Sequence, residues 1–333
     1  MRIGLIGLGR IGAFHARTLA GLEGVDQLLV TDVRPEITAQ VAAEVGAEPL
    51  ASPREVFDAA PDGVVIAAAT PAHPELLLAA VDAGLPVFCE KPIAGLVDDA
   101  VDLAGKLAGR DERVHVGYPR RFDAGFAAAR AAVASGELGR VHTVRSTTLD
   151  PAPPPDDYVR VSGGIFRDCL VHDFDAIRWV TGREIVEAYA TGDQHGAPVF
   201  AETGDVSTAQ VLLTLDDGSA ALVTGSRYNP RGYDVRLELH GDRDSIAVGL
   251  DDGLPLRSVE PGVSFPAGTP HRFFMDRLAP AFQAELTAFT EVVDGTRPSP
   301  CTVADAMTSG WVAEAATRSM QQRRPVRIEE VVR

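Results

Sequence analysis

A chain of 333 residues, 45% apolar and 23% charged, is too long for one small core and too apolar for disorder, so two folded domains are expected. Its 31 basic against 47 acidic residues leave a net charge of −16, which repels nucleic acid and anionic lipid and suits a small neutral ligand. Cys89, Cys169 and Cys301 form neither a disulfide framework nor a zinc spacing, no apolar run reaches membrane-span length, and the first residues read as a strand rather than a signal peptide. A cytoplasmic protein is therefore expected.

The first predicted strand, with Ile3, Leu5 and Ile6, runs into Gly7-Leu8-Gly9-Arg10-Ile11-Gly12, and a helical pattern through Phe14, His15 and Leu19 follows. A second apolar strand over 27–31 ends in Asp32. This is the dinucleotide fingerprint in its proper context. Gly7 permits the tight turn, Gly9 leaves room for the pyrophosphate, and Gly12 lets helix and strand approach closely. The helix N-terminus, with Arg10 and Ile11, faces the anion. Asp32 accepts from the adenosine ribose hydroxyls and repels a ribose phosphate, which favours NAD over NADP. Arg34 would weaken that preference if turned inward to a phosphate; as a solvated loop residue it would not.

The alternation of strand and helix continues to about residue 117. Residues 63–69 form an apolar run suited to a strand buried on both faces, ending at Thr70-Pro71. A helix over 74–83, a strand over 86–89, a helix over 98–107 and a strand over 114–116 complete a doubly wound pattern. Thr70, His73 and Glu90 lie where such a fold gathers its cofactor, His73 toward the nicotinamide, whereas His15 and His115 read as packed within the domain. Of the 31 basic residues only Lys91 and Lys106 are lysines. Lys91 follows a parallel strand, where a titratable ammonium offers chemistry a guanidinium cannot; the alternative is a structural lysine.

Past residue 140 the texture changes to strands of alternating polarity. Residues 212–215 and 220–223, joined by Asp216-Asp217-Gly218, read as a hairpin, and 235–239 with 245–248 read as a second. A Pro-rich loop occupies 151–155, and one helix is predicted over about 165–180. On one helix Asp168 and His172 would share a face, a carboxylate orienting a general base or an ordinary surface pair. Gly163 and Gly164 before them allow close approach of another segment or a ligand. Phe166, Leu170, Phe174 and Ile177 fall on the packing side. No metal is expected, since His172 and Asp173 diverge by about 100° on a helix.

Four motifs carry a family resemblance: the glycine turn continuing to Ala13-Phe14-His15-Ala16, Glu90-Lys91-Pro92, Gly117-Tyr118-Pro119-Arg120-Arg121-Phe122-Asp123, and Ser162-Gly163-Gly164 through Asp168 to His172-Asp173. Asp150-Pro151, Gly232-Tyr233-Asp234 and residues 285–289 add to them. The chain resembles the glucose-fructose oxidoreductase, inositol dehydrogenase and rhizopine catabolism family over nearly its whole length, and within it the bacterial inositol 2-dehydrogenases. The resemblance implies an α/β protein: an NAD-binding Rossmann domain over 1–120, then an α+β domain over 121–333 with a large open, mainly antiparallel sheet that makes a homotetramer or dimer, its last helix packing back on the first domain. It implies oxidation of a secondary alcohol of a neutral cyclic polyol or sugar, myo-inositol first, with Lys91, Asp168 and His172 as the catalytic set converging at the nicotinamide. Asp150 and Tyr233 are implied as further substrate contacts. Pro119 departs from relatives, which more often carry Met or Asn there, and leaves the polyol isomer open. A tightly NAD-bound glycosidase and a dinucleotide-sensing regulator are the alternatives.

Overall fold

The computed structural model describes residues 1–332 and divides them into two compact units, 1–119 with 282–307, and 120–281 with 308–332. In the first unit six parallel strands, β1 (Arg2–Ile6), β2 (Gln27–Thr31), β3 (Glu48–Pro49), β4 (Gly63–Ile66), β5 (Val87–Glu90) and β6 (Val114–Gly117), lie in the order β3-β2-β1-β4-β5-β6. Helices α1 (Arg10–Ala20), α2 (Pro35–Val45), α3 (Pro53–Asp58), α4 (His73–Asp82) and α5 (Val97–Leu107) connect them. Every residue of β4 is buried, as its unbroken apolar sequence requires of a strand covered on both faces. The strand order reverses between β1 and β4, so the loops after these strands flank the crevice where doubly wound sheets bind ligands.

The second unit holds a seven-stranded sheet, β7 (Val141–Leu149), β8 (Ile185–Asp193), β9 (Thr208–Leu215), β10 (Ala220–Ser226), β11 (Asp234–Gly241), β12 (Ser245–Val248) and β13 (Val326–Arg327), ordered β12-β11-β7-β10-β9-β8-β13. Both predicted hairpins form, β9 with β10 and β11 with β12. All the pairings in this sheet are antiparallel except β7 with β10. Around it lie α6 (Ala124–Ser135), α7 (Asp156–Val159), α8 (Ile165–Asp168), α9 (Val171–Thr181) and α10 (Val199–Thr203). One face of the sheet buries Val144, Ala188, Val211, Leu213, Ala221 and Val223 against Phe126 of α6 and Phe174 and Ile177 of α9. Two long helices, α11 (Phe274–Val293) and α12 (Val303–Gln322), contribute to both units, with Leu286 and Phe289 of α11 in the first core and Val312 and Ala316 of α12 in the second.

The single helix expected over about 165–180 is two. α8 ends at Asp168, Leu170 donates its N–H five residues back to the Ile165 carbonyl, and α9 starts at Val171. Packing accounts for the break. Leu170 is fully buried over β10 at Gly225, where a methyl group would stand 2.5 Å from its Cδ2. A continuous helix would trade this contact for one more turn of hydrogen bonds, and Asp168 and His172 therefore sit on separate helices.

Candidate active site

The three glycines of the first turn behave as three different devices. Gly7 has φ +94°, and a Cβ there would lie 2.4 Å from the Ala68 backbone. At Gly12 a Cβ would stand 1.9 Å from the Gly7 carbonyl, so α1 could not start so close to β1 with any larger residue. Gly9 is the opposite case: nothing lies within 4 Å of the place its Cβ would take. That open space lies at the N-cap of α1, where no side chain caps the helix, and it fits a dinucleotide's pyrophosphate. Arg10 is exposed and Ile11 half-buried at the first turn of that helix.

Asp32, at the end of β2, joins this turn directly. Its Oδ2 accepts the Leu8 N–H at 2.8 Å, and its Oδ1 accepts both the backbone N–H and Nε of Arg34 at 3.0 Å. Burial by itself would raise the Asp32 pKa, but the Leu8 and Arg34 donors outweigh it and hold the carboxyl below its ordinary value. Arg34 is thus turned to Asp32 while its side chain stays 53% exposed. The carboxylate expected to meet the ribose also fastens the glycine turn.

Lys91, half-buried, follows β5 in a turn whose Lys91–Pro92 peptide is cis. Two histidines brace the neighbourhood. His15 is buried with Nε2 2.7 Å from Glu90 Oε1, so Glu90 is held against α1. His73 is also buried, its Nδ1 2.7 Å from the Pro92 carbonyl and its Nε2 2.9 Å from the Ala68 carbonyl. Both ring nitrogens are thereby directed to backbone, tying the turn after Lys91 to the loop after β4. Thr70 opens a short 3₁₀ turn in that same loop.

In the second unit the parallel pairing of β7 and β10 decides what meets what. Leu149 pairs with Ser226 at the last register position, so Asp150 and Arg227 leave adjacent strands side by side. Arg227, 7% exposed, donates through Nη1 to Asp150 Oδ2 at 2.7 Å and through Nη2 to Asp168 Oδ2 at 2.5 Å. The Tyr158 hydroxyl donates to Asp168 Oδ1 at 2.7 Å. Burial works against the Arg227 charge, yet the acidic groups about it, Cys169, Asp168 and Asp150, together more than offset it and the guanidinium pKa is raised. The segment that closes on Gly164 is Asp205: its Oδ1 would stand 3.0 Å from a Cβ there and accepts the Ile165 N–H at 3.0 Å. Gly164 itself adopts φ +87° at the start of α8.

His172 is half-buried in the first turn of α9. Its neighbours Asp173 and Asp175 are fully buried and serve α9's seat on the sheet. Arg120 donates to Asp173 Oδ1 at 2.9 Å, with Ser146 and Thr148 completing the shell, and Arg121 makes a two-pronged pair with Asp175 at 2.6 and 2.9 Å. These are structural ion pairs, and removing one partner of such a pair costs about 3–5 kcal/mol. Tyr233 is 5% exposed, packs its ring edge toward Phe274, and has its phenol pKa pushed up by burial. Among the described residues no cluster of three His, Cys, Asp or Glu side chains could hold a metal, and no helix is long and apolar enough to cross a membrane.

Residues 1–118 match the model of an oxidoreductase family with an NAD-binding Rossmann fold, and residues 126–247 match that of the GFO/IDH/MocA C-terminal domain. The chain belongs to the GFO/IDH/MocA oxidoreductase family. Within this family it is 34% identical to a myo-inositol 2-dehydrogenase of Thermotoga maritima, with all of both chains covered, and 38% identical to a myo-inositol dehydrogenase of Streptomyces leeuwenhoekii over 90% of each. A crystal structure of scyllo-inositol dehydrogenase from Lactobacillus casei with bound NAD(H) and scyllo-inositol superposes with a TM-score of 0.88 at 26% identity, covering 99% of each chain. GFO/IDH/MocA membership makes the chain an NAD-dependent oxidoreductase, and the turn from Gly7 to Gly12 falls within the matched NAD-binding Rossmann unit.

Proposed function

We propose that this chain oxidises one ring hydroxyl of a cyclic polyol, myo-inositol first, to the ketone. The observation that carries this reading is the whole-length likeness to inositol dehydrogenases, in a chain that has Lys91, Asp168 and His172. Bound NAD supplies a hydride acceptor. His172 takes the hydroxyl proton as the carbinol is oxidised, Lys91 donates to the reacting oxygen, and Asp168 accepts from a neighbouring hydroxyl. Asp150 extends the same acceptor surface to the next hydroxyl, and Tyr233 supports it from within the core. Carboxylates suit this task because a neutral polyol offers only hydroxyl donors and acceptors, which fits a chain of net charge −16.

The measurement is the appearance of free reduced cofactor when the enzyme meets NAD and myo-inositol, scyllo-inositol or glucose. Stoichiometric NADH with an inositol supports the reading. Cleavage of a glycoside without net reduction would replace it with redox-assisted hydrolysis. Two coarser features complete the proposal. Tyr189, Leu212 and Leu222 are 43, 46 and 44% exposed and stand in one register row across β8, β9 and β10, an apolar stripe that supports a homo-oligomer built on the open sheet face. The three cysteines are free thiols, which agrees with a reducing, cytoplasmic setting.

A further inference from the structure

We infer that Arg227 is a positioning residue for the polyol, bridging Asp150 and Asp168 so that the two carboxylates can stand side by side and face a neutral substrate. The inference rests on the inositol dehydrogenase reading and goes beyond it, because Arg227 is not one of the residues to which that reading gives a role. It begins with strand register. β7 and β10 are the one parallel pair in their sheet, and they end together at Leu149 and Ser226. The Asp150 N–H is bonded to the Ser226 carbonyl at 2.8 Å and the Arg227 N–H to the Ser207 carbonyl at 2.7 Å, so both backbones are fixed where the side chains emerge.

Two carboxylates brought to one place oppose each other's ionisation and tend to share a proton, which would turn an acceptor into a donor. A buried guanidinium between them removes that conflict. Its planar fork reaches Asp150 with Nη1 and Asp168 with Nη2 at once, which a single ammonium cannot reproduce. Tyr158 of α7 holds the other oxygen of Asp168, so this carboxylate is fixed from two sides. Cys169 at the end of α8, a buried thiol with a raised pKa, and Asp205, whose pKa burial also raises, lie in the same surroundings. Arg227 is thus one cation shared by both acceptors.

The experiment compares wild type, Arg227→Lys and Arg227→Ala in the holoenzyme, reading inositol KM, kcat and their pH profiles, NAD affinity by calorimetry, and the thermal transition. Arg227→Lys is expected to raise the KM for myo-inositol at least about tenfold with NAD affinity changed less than about twofold, and to move the acid limb of kcat/KM upward by about one pH unit. Methylguanidine should restore part of the activity of Arg227→Ala. Should the alanine variant fail to fold, the lysine variant decides alone. A lysine variant with the wild-type KM and acid limb overturns the inference, as does an equal loss of NAD and inositol binding, which would mark a purely structural arginine. If wild type itself forms no NADH with any inositol, the functional reading fails first and the inference with it.

Discussion

The glycine turn expected to cradle the cofactor and the acidic cluster proposed to hold the polyol are built by opposite means. The cradle is backbone: six consecutive residues, Gly7 to Gly12, create an empty space at Gly9 by having no side chains where the chain folds tightest. The acidic cluster is side chain: Asp150, Tyr158, Asp168 and Arg227 come from the end of β7, from α7, from the end of α8 and from the end of β10. A site made of missing atoms is specified locally, whereas a site made of opposed charges exists only once register and helix breaks bring its members together.

Substitutions can separate the two regions. The largest loss is expected for His172→Ala, where removal of the proposed base should lower kcat roughly 10²–10⁴-fold while calorimetry finds NAD affinity unchanged. Parallel losses in both would mean that the substitution damages the fold. Lys91→Arg keeps the charge but displaces the donor from the reacting oxygen, and a fall in kcat of about 10²–10³-fold is expected; near-normal turnover would remove Lys91 from the chemistry. Gly9→Val fills the open space of the cradle and should weaken NAD binding about tenfold, some 1.4 kcal/mol, without moving the inositol KM once NAD is saturating. An unchanged NAD affinity would show that the pyrophosphate lies elsewhere.

The smallest effect concerns pH. Asp32 has its pKa lowered in the folded chain from the ordinary 3.8, so the stability it contributes is present above that value and is lost as pH falls through the lower folded value. Asp32→Asn should flatten the fall in thermal transition temperature on the acid side of pH 4, roughly where a free aspartate titrates. Identical acid limbs for the two proteins would mean that the Leu8 and Arg34 hydrogen bonds to this carboxylate carry no net stability.

Much of the cradle was legible because its signals are short-range. The apolar strand, the glycine spacing and Asp32 all fall within the first 32 residues, and the strand-helix alternation that follows implies the parallel sheet. The second unit's hairpins were legible for the same reason, each closed by its own turn. Arg227 was not. With 29 arginines in the chain nothing marks it in sequence, and its role appears only through the parallel register of β7 with β10. The break between α8 and α9 was equally hidden, since helical periodicity continues through it and only the fit of Leu170 over Gly225 interrupts the turn. Asp173, set aside from sequence as a metal ligand, and its neighbour Asp175 prove to be partners of Arg120 and Arg121 more than fifty residues earlier in the chain.

By itself the amino-acid order determined the Rossmann unit, its nicotinamide cofactor and the class of the second sheet, because glycine spacing, residue periodicity and turn chemistry act over a few neighbours. Tertiary structure alone decided which charges oppose which: that Arg227 lies between Asp150 and Asp168, that Arg120 meets Asp173, and that Arg121 meets Asp175. The reason is physical. Burial and strand register select partners among residues far apart in sequence, and an ion pair leaves no periodic trace along the chain that forms it.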